Sequence, residues 1–208
     1  VFLCALCLLS SMDSGEVLNA PASFFLNKLR VHHDVISPKA FYSVHSVTHG
    51  TRSYVNALSA GFRKKIVFNA KIRAVVRAAD KVELIMDDGQ KRVFDKVVFA
   101  CNADQAVNLL SAPTKMESKL LGAWKYKDGR VVVHRDYAHF PPRNLIESYT
   151  FLYSQKGGRT GISVNGALWN EPHISDDYEY MSSQHPNFPI RKELTDLDVI
   201  LRTPIFDF

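Results

Sequence analysis

The stretch KRVFDKVVFACNADQAVNLL, Lys91–Leu110, decides the fold that the sequence predicts. Its centre, Val97–Cys101, is an uninterrupted apolar run, typical of a strand buried on both faces inside a parallel sheet. Asn102 can cap a following helix, and Gln105–Leu110 carries the apolar residues of a short one. Ligands of open α/β sheets bind at the carboxyl ends of such strands, so the small residues that end this run mark a candidate site. The alternative is that these small residues only pack.

The residues upstream of this stretch predict an antiparallel meander. Three short strand-like segments, Lys65–Arg77, Val82–Met86 and Arg92–Phe94, are separated by two sequences rich in turn formers, AAD and DDGQ. A meander that leads into a buried strand predicts a mixed α/β fold.

The first half of the chain contains further predicted helices. The apolar run VFLCALCLL at the N-terminus fits a buried helix that continues a missing segment at least as well as a leader peptide. Pro21–His33 has an imperfect helical stripe that Pro21 opens. The stretch 41–47 alternates like a strand. Gly50 then precedes a predicted helix, 51–62, for which we expect the following residues to face inward: Tyr54, Val55, Leu58 and Phe62.

Composition limits the classes of function. With 208 residues, 46% of them hydrophobic, the chain is globular. Its net charge of +5 comes from dispersed basic residues, which argues against a nucleic-acid groove. Cys4 and Cys7 lack partners for a zinc site, so we predict no metal. A ten-residue apolar run cannot span a bilayer, and an odd cysteine count without a glycosylation sequon favours a cytoplasmic location.

The second half of the chain predicts another sheet. Two strand-like segments, 148–154 and 162–168, flank the run GGRTG, which is typical of a hairpin turn. Residues 171–208 lose periodicity, with one short strand at Val199–Leu201. Residues 134–136 are His-Arg-Asp, but neighbours on a strand alternate faces and cannot converge on one substrate. Aromatic side chains could line an apolar cavity or simply pack: Trp124, Tyr126, Tyr149, Phe151, Tyr153 and Trp169. We assign no catalytic side chain.

Several segments together resemble the flavin-containing amine oxidase superfamily of FAD-dependent oxidoreductases, in its predicted NAD/FAD-binding branch. They are GTRSYV at Gly50, the meander, FDKVVFACNADQA at Phe94, LLGAWKY at Leu120, HRD at His134, SVN at Ser163, PIFD at Pro204 and PASFF at Pro21. The resemblance implies an oxidoreductase that transfers hydride from a small organic substrate to FAD, a cofactor that carries the redox chemistry itself.

The resemblance also implies cofactor contacts through the backbone. Ile72 fills the position that faces the FAD adenine, and Ala100, Cys101 and Asn102 fill those that approach the cofactor. Gly50 stands where relatives have a pair of glycines. The implied organisation is a helical and strand part of the substrate domain over 1–48, the centre of the FAD-binding domain with its meander over 49–112, and a substrate-domain sheet with an irregular C-terminal segment over 113–208.

The sequence also departs from the family pattern. It contains no G-x-G-x-x-G after a strand, the turn that would hold the pyrophosphate. We therefore expect an internal fragment of an FAD-dependent oxidoreductase. The alternative is a non-catalytic remnant or binding module unable to hold a dinucleotide. Substrate and oligomeric state do not follow from the residues.

Overall fold

The computed structural model describes residues 2–31, 47–146, 148–156, 159–170 and 179–205. The chain divides into two compact units, one made of Val1–Ser59 with Lys127–Phe208 and the other of Ala60–Tyr126. Helices and antiparallel sheets are mixed, as the predicted fold class requires. The cofactor and substrate roles predicted for 1–48, 49–112 and 113–208 stay predictions.

The unit 60–126 contains the predicted meander. Strands β1 (Ile72–Arg77), β2 (Val82–Met86) and β3 (Lys91–Phe94) form an antiparallel sheet in that order. β1 begins later than the predicted Lys65 because Arg63–Lys65 is a 3-10 helix. Asn69 and Lys71 also have left-handed φ angles of 53° and 46°, which an extended run does not allow.

The prediction of a buried strand at Val97–Cys101 is wrong. The residues between β3 and the next helix belong to no strand, and Val98 is 89% exposed. A strand buried in a parallel sheet needs a paired neighbour along each edge. Here the edge of β1 pairs elsewhere, because Val75 forms an isolated bridge with Leu110 and its carbonyl accepts the Ser111 N–H at 3.0 Å.

The predicted helix after Asn102 is present as α5 (Ala103–Leu109), with Ala106 buried; the labels α1–α4 belong to helices of the other unit. The side-chain oxygen of Gln105 accepts the Asn102 N–H at 3.3 Å, which is half of a capping box. A second capping box starts α6 (Lys115–Gly122), where Thr114 and Glu117 bond each other's backbone N–H at 3.1 and 2.7 Å. Both helix starts are therefore fixed by local sequence.

The other unit is built on a five-stranded sheet of order β5-β6-β7-β4-β8. Its strands are β4 (Tyr126–His134), β5 (Tyr149–Lys156), β6 (Arg159–Ala167), β7 (Met181–Gln184) and β8 (Thr195–Pro204). β5, β6, β7 and β4 pair antiparallel in turn. The predicted hairpin strands are confirmed, while the turn residues 157–158 lie outside the described residues. The sequence does not predict β7, and β8 is longer than the predicted strand Val199–Leu201.

Three helices share a core with strand β6 of this sheet: α1 (Phe2–Ser10), α2 (Ser14–Asn19) and α3 (Ala22–Val31). Leu6, Cys7 and Val17 form a core with Ile162 and Val164 of β6. Burial raises the pKa of the Cys7 thiol to about 11, so this cysteine behaves as a small apolar side chain. The apolar N-terminal run is thus a helix that buries Leu6 and Cys7, while Phe2 at its start is 69% exposed.

The helix predicted after Gly50 is α4 (Thr51–Ser59). Its expected inward residues are instead exposed, with Tyr54 at 45% and Leu58 at 71%, as are Val55 and Phe62. Periodicity identifies a helix with one apolar face but does not determine whether another element covers that face. The predicted strand 41–47 lies outside the described residues as far as residue 46.

Candidate functional site

The predicted cofactor contacts occupy loop and edge positions. Ile72 is the half-buried first residue of β1 and pairs with Met86, and an irregularity in register follows it. Ala100 and Cys101 are exposed on the segment between β3 and α5, and Asn102 is half-buried just before α5. Because Cys101 is exposed, the burial that the predicted strand implies for its thiol is wrong. Gly50 belongs to the other unit, where it has a φ of 76° ahead of α4.

A cleft of about 440 Å³ opens beside the start of β1. It is lined by Val67, Phe68, Asn69, Ala70, Lys71, Met86, Asp87, Asp88, Gln90 and Arg92. Two of these residues, Asn69 and Lys71, have positive φ angles. Asn adopts this conformation readily, but a non-glycine residue such as Lys is held there at a cost of about 1–3 kcal/mol. The strained backbone therefore lies at the rim of a cleft that combines apolar and polar walls.

The outer edge of β1 determines which backbone groups near Ile72 are available to a dinucleotide. β1 is a terminal strand of the meander, and within the described residues it pairs along its outer edge with residues 110–111, at Val75. The Ile72 end of the edge is thus not paired with another described strand, and an edge N–H or C=O can bond the rim of a flat base. Such an edge is compatible with the adenine contact that the resemblance implies for Ile72, and that contact stays a prediction. The sequence offers no glycine-rich turn for the pyrophosphate.

A fully buried polar chain crosses the five-stranded sheet. The His134 Nε2 lies 2.7 Å from the Ser183 Oγ, and that hydroxyl lies 2.6 Å from the Asn165 Oδ1. The Ser163 hydroxyl reaches the same amide oxygen at 3.0 Å. The Asn165 Nδ2 donates to the carbonyls of Thr150 and Ser163 at 3.0 and 3.1 Å. Asn165 therefore links strands β5, β6 and β7 from within the sheet.

The directions of these hydrogen bonds fix the state of His134. The backbone N–H of Asp136 donates to His134 Nδ1 at 3.1 Å, so that nitrogen carries no proton. The amide oxygen of Asn165 can only accept, so the Ser183 hydroxyl donates to it and accepts from His134 Nε2–H. Burial lowers the pKa of His134, which favours this neutral form. Because the Ser183 hydroxyl accepts a hydrogen bond from the imidazole and donates its own proton to Asn165, His134 cannot act as its base, and the pair is not an activated nucleophile.

Asp136 clamps the segment that leads to β8. Its nearly buried carboxylate accepts the Arg191 backbone N–H at 2.9 Å, the Nε–H at 3.0 Å and an NH2 proton at 2.8 Å. These hydrogen bonds hold the pKa of Asp136 well below its usual range. Arg135, which lies between His134 and Asp136 in the sequence, faces outward and pairs with Asp196. The three adjacent residues thus alternate faces.

Sequence reasoning did not connect the residues of this buried chain. From the sequence, HRD at His134 is considered both as a candidate for contact with a substrate and as a segment of the family resemblance, and SVN at Ser163 as another such segment, but the two are not related to each other. The available signal was polar residues at alternate positions of otherwise apolar strands, which place Ser163 and Asn165 on one face. Ser183 carries no such signal, because β7 was not predicted.

The candidate aromatic residues do not share one environment. Trp169 is buried in a small core with Ile146 and Met181, whereas Tyr149 and Tyr153 are exposed by about half or more. Within the described residues, no group of three or more His, Cys, Asp or Glu is arranged to hold a metal ion. None of the helices in the described ranges is long and apolar enough to cross a membrane.

The family model of flavin-containing amine oxidoreductases matches residues 5–133, more than half of the 208-residue chain. The chain belongs to this family. The match runs from α1 through the meander and into β4. A flavin cofactor is thus what the family implies for this amine oxidoreductase-like chain.

Among solved structures, the chain is similar to the crystal structure of a CLA-producing fatty acid isomerase from P. acnes, with 13% sequence identity and a TM-score of 0.42. The similarity covers 76% of this chain and 39% of that one. The chain thus spans well under half the length of that protein. A comparison with curated protein sequences gives no significant match.

Proposed function

We propose that this chain is part of an FAD-dependent oxidoreductase that transfers hydride from a small organic substrate to flavin. The observation that carries the proposal is the family match over residues 5–133, which includes the whole meander and α5. The Ile72 end of the outer edge of β1, which pairs with no other described strand, supports FAD in particular, since it offers backbone groups to an adenine; a cleft of about 440 Å³ opens beside the start of β1.

Four positions of the unit 60–126 would contact the cofactor. Ile72 would present its backbone to the adenine, and the exposed backbone of Ala100, Cys101 and Asn102 would approach the cofactor from the segment before α5. Gly50 belongs to the other unit, where its positive φ allows a tight turn, and its implied cofactor contact stays a prediction from the resemblance. When bound, flavin supplies a two-electron acceptor, so the protein's own task is to bind, orient and exclude water.

The five-stranded sheet would form the substrate domain. Both ring nitrogens of His134 and the Ser183 hydroxyl have hydrogen-bond partners inside the sheet. This supports a role of the sheet in positioning the substrate and not a role for His134 in proton transfer. The proposal therefore assigns no catalytic side chain to these residues.

A titration of the purified chain with FAD tests the proposal. We expect bound flavin, detected by its absorption band near about 450 nm, a property of the cofactor that the protein only tunes. Because Ile72 is the proposed contact to the adenine, AMP should compete with FAD, whereas FMN, which lacks adenine, should bind more weakly. A chain that takes up no FAD would contradict the proposal and support a binding module without flavin. Equal binding of FMN and FAD would contradict the assigned contacts.

A further inference from the structure

One row of side chains across the five-stranded sheet has a gap in it. The register places Tyr149 of β5 opposite Gly166 of β6, and Gly166 opposite Ser182 of β7, so the three residues share one face. In the neighbouring row, Val164 of β6 lies opposite Gln184 of β7. The helices α1–α3 pack on Ile162 and Val164, so the Gly166 row lies just beyond the covered part of the face.

A cavity of about 130 Å³ occupies this gap. It is lined by Tyr149, Val164, Gly166, Ala167, Leu168, Ser182 and Gln184. A Cβ on Gly166 would stand 3.6 Å from the Tyr149 ring, at ordinary contact distance. The absent side chain of Gly166 therefore creates the space.

The walls of the cavity define what it can bind. None of the lining residues is charged, so an ion would lose its hydration without a counter-charge. The Ser182 hydroxyl and the Gln184 amide are half-buried, and neither side chain bonds another described residue. Half-buried polar groups that bond no other described residue are groups that a ligand can satisfy. For scale, an apolar cavity of about 150 Å³ accepts benzene.

We infer that this cavity binds a neutral, flat group of a small molecule, such as an aromatic ring bearing an amide or hydroxyl. The ring would lie on Val164 beside Tyr149, in the space above Gly166, and the polar substituent would bond Ser182 and Gln184. The inference rests on the proposed function in one respect, namely that the ligand is the substrate of the flavoenzyme.

Ligand-observed NMR with benzamide, on the whole chain without added FAD, tests the inference. Benzamide should show saturation transfer, whereas its charged analogues benzoate and benzylammonium should bind about tenfold more weakly or worse. Gly166→Val fills the cavity and suits a strand, so it should abolish the signal. The matched control is Gly122→Val, at a glycine of α6 whose added Cβ meets nothing within 4 Å.

Two further variants guard against misfolding of Gly166→Val. Gly166→Ala adds one methyl at ordinary contact distance, and Ser182→Ala removes one hydrogen-bond partner; each should weaken benzamide binding severalfold. No binding by the unaltered chain, undiminished binding by folded Gly166 variants, or equal binding of benzoate would overturn the inference. An FAD titration of the same samples separates the two proposals. Benzamide binding without FAD binding contradicts the flavin proposal alone, and the reverse contradicts the cavity alone.

Discussion

The two sheets of the chain differ in what their interiors contain. The five-stranded sheet encloses fully buried polar side chains, His134, Asn165 and Ser183, each with hydrogen-bond partners. The meander unit buries mainly Val75 and a few neighbours, and it leaves large apolar side chains such as Phe68 and Val98 more than 80% exposed. Buried polar groups are costly to leave unpaired, so substitutions should be severe in the first sheet and mild in the second.

The largest effect should follow Asn165→Ala. This change strips the Ser163 and Ser183 hydroxyls of their shared acceptor and the Thr150 carbonyl of a donor, all within the sheet. We expect the free energy of unfolding to fall by about 3 kcal/mol, measured by urea denaturation. Ser59→Ala, which removes an exposed bond at the end of α4, is the control and should change it by less than about 0.5 kcal/mol. Similar losses in both variants would contradict the buried chain.

Asp136→Asn should rank next. The variant keeps the shape but removes the charge that holds Arg191, whose guanidinium is partly exposed and screened. We expect a loss of about 2 kcal/mol. Asp196→Asn breaks the more exposed pair with Arg135 and should cost about 0.5 kcal/mol. Equal costs would mean that burial of the Asp136 carboxylate adds nothing.

The pH dependence of stability should reveal His134. Its pKa is lower in the folded protein than in the unfolded chain, so the unfolded state takes up the proton first as the pH falls. Stability is therefore fully present above about pH 6.5 and declines below it, by at most about 1.4 kcal/mol per pH unit. Protonated Nδ1 would also face the Asp136 N–H.

Two histidine variants check this assignment. His134→Gln keeps a donor toward Ser183 but cannot titrate, so the decline just below pH 6.5 should flatten. His139 is exposed next to the Phe188 ring, and His139→Gln should leave the decline unchanged. A decline that survives in His134→Gln would assign it to another group.

The smallest effect should come from the meander unit. Val98→Ser alters a side chain that is 89% exposed and should change stability by less than about 0.5 kcal/mol. Val132→Ser, at a fully buried position of β4, should cost about 3 kcal/mol. A large loss of stability in Val98→Ser would contradict the exposure of Val98 and support the buried strand that the sequence predicts.

Local signals account for what the sequence predicted correctly. Turn residues separate β1, β2 and β3, and the capping residue Asn102 marks the start of α5, so the meander and this helix follow from neighbouring residues. The apolar run Val97–Cys101 is equally local, but burial depends on which strand pairs with it. The buried polar chain joins residues up to 49 positions apart, Ser183 and His134, across strands that no local pattern relates.

Hydrogen–deuterium exchange of the chain with and without AMP tests the central claim most directly, because it locates an adenine site without requiring flavin chemistry. We expect slower amide exchange upon AMP binding at residues 69–73 and 100–103. Exchange over β4 and β7 should stay unchanged. Protection confined to the five-stranded sheet, or bound AMP without protection near Ile72, would contradict the claim.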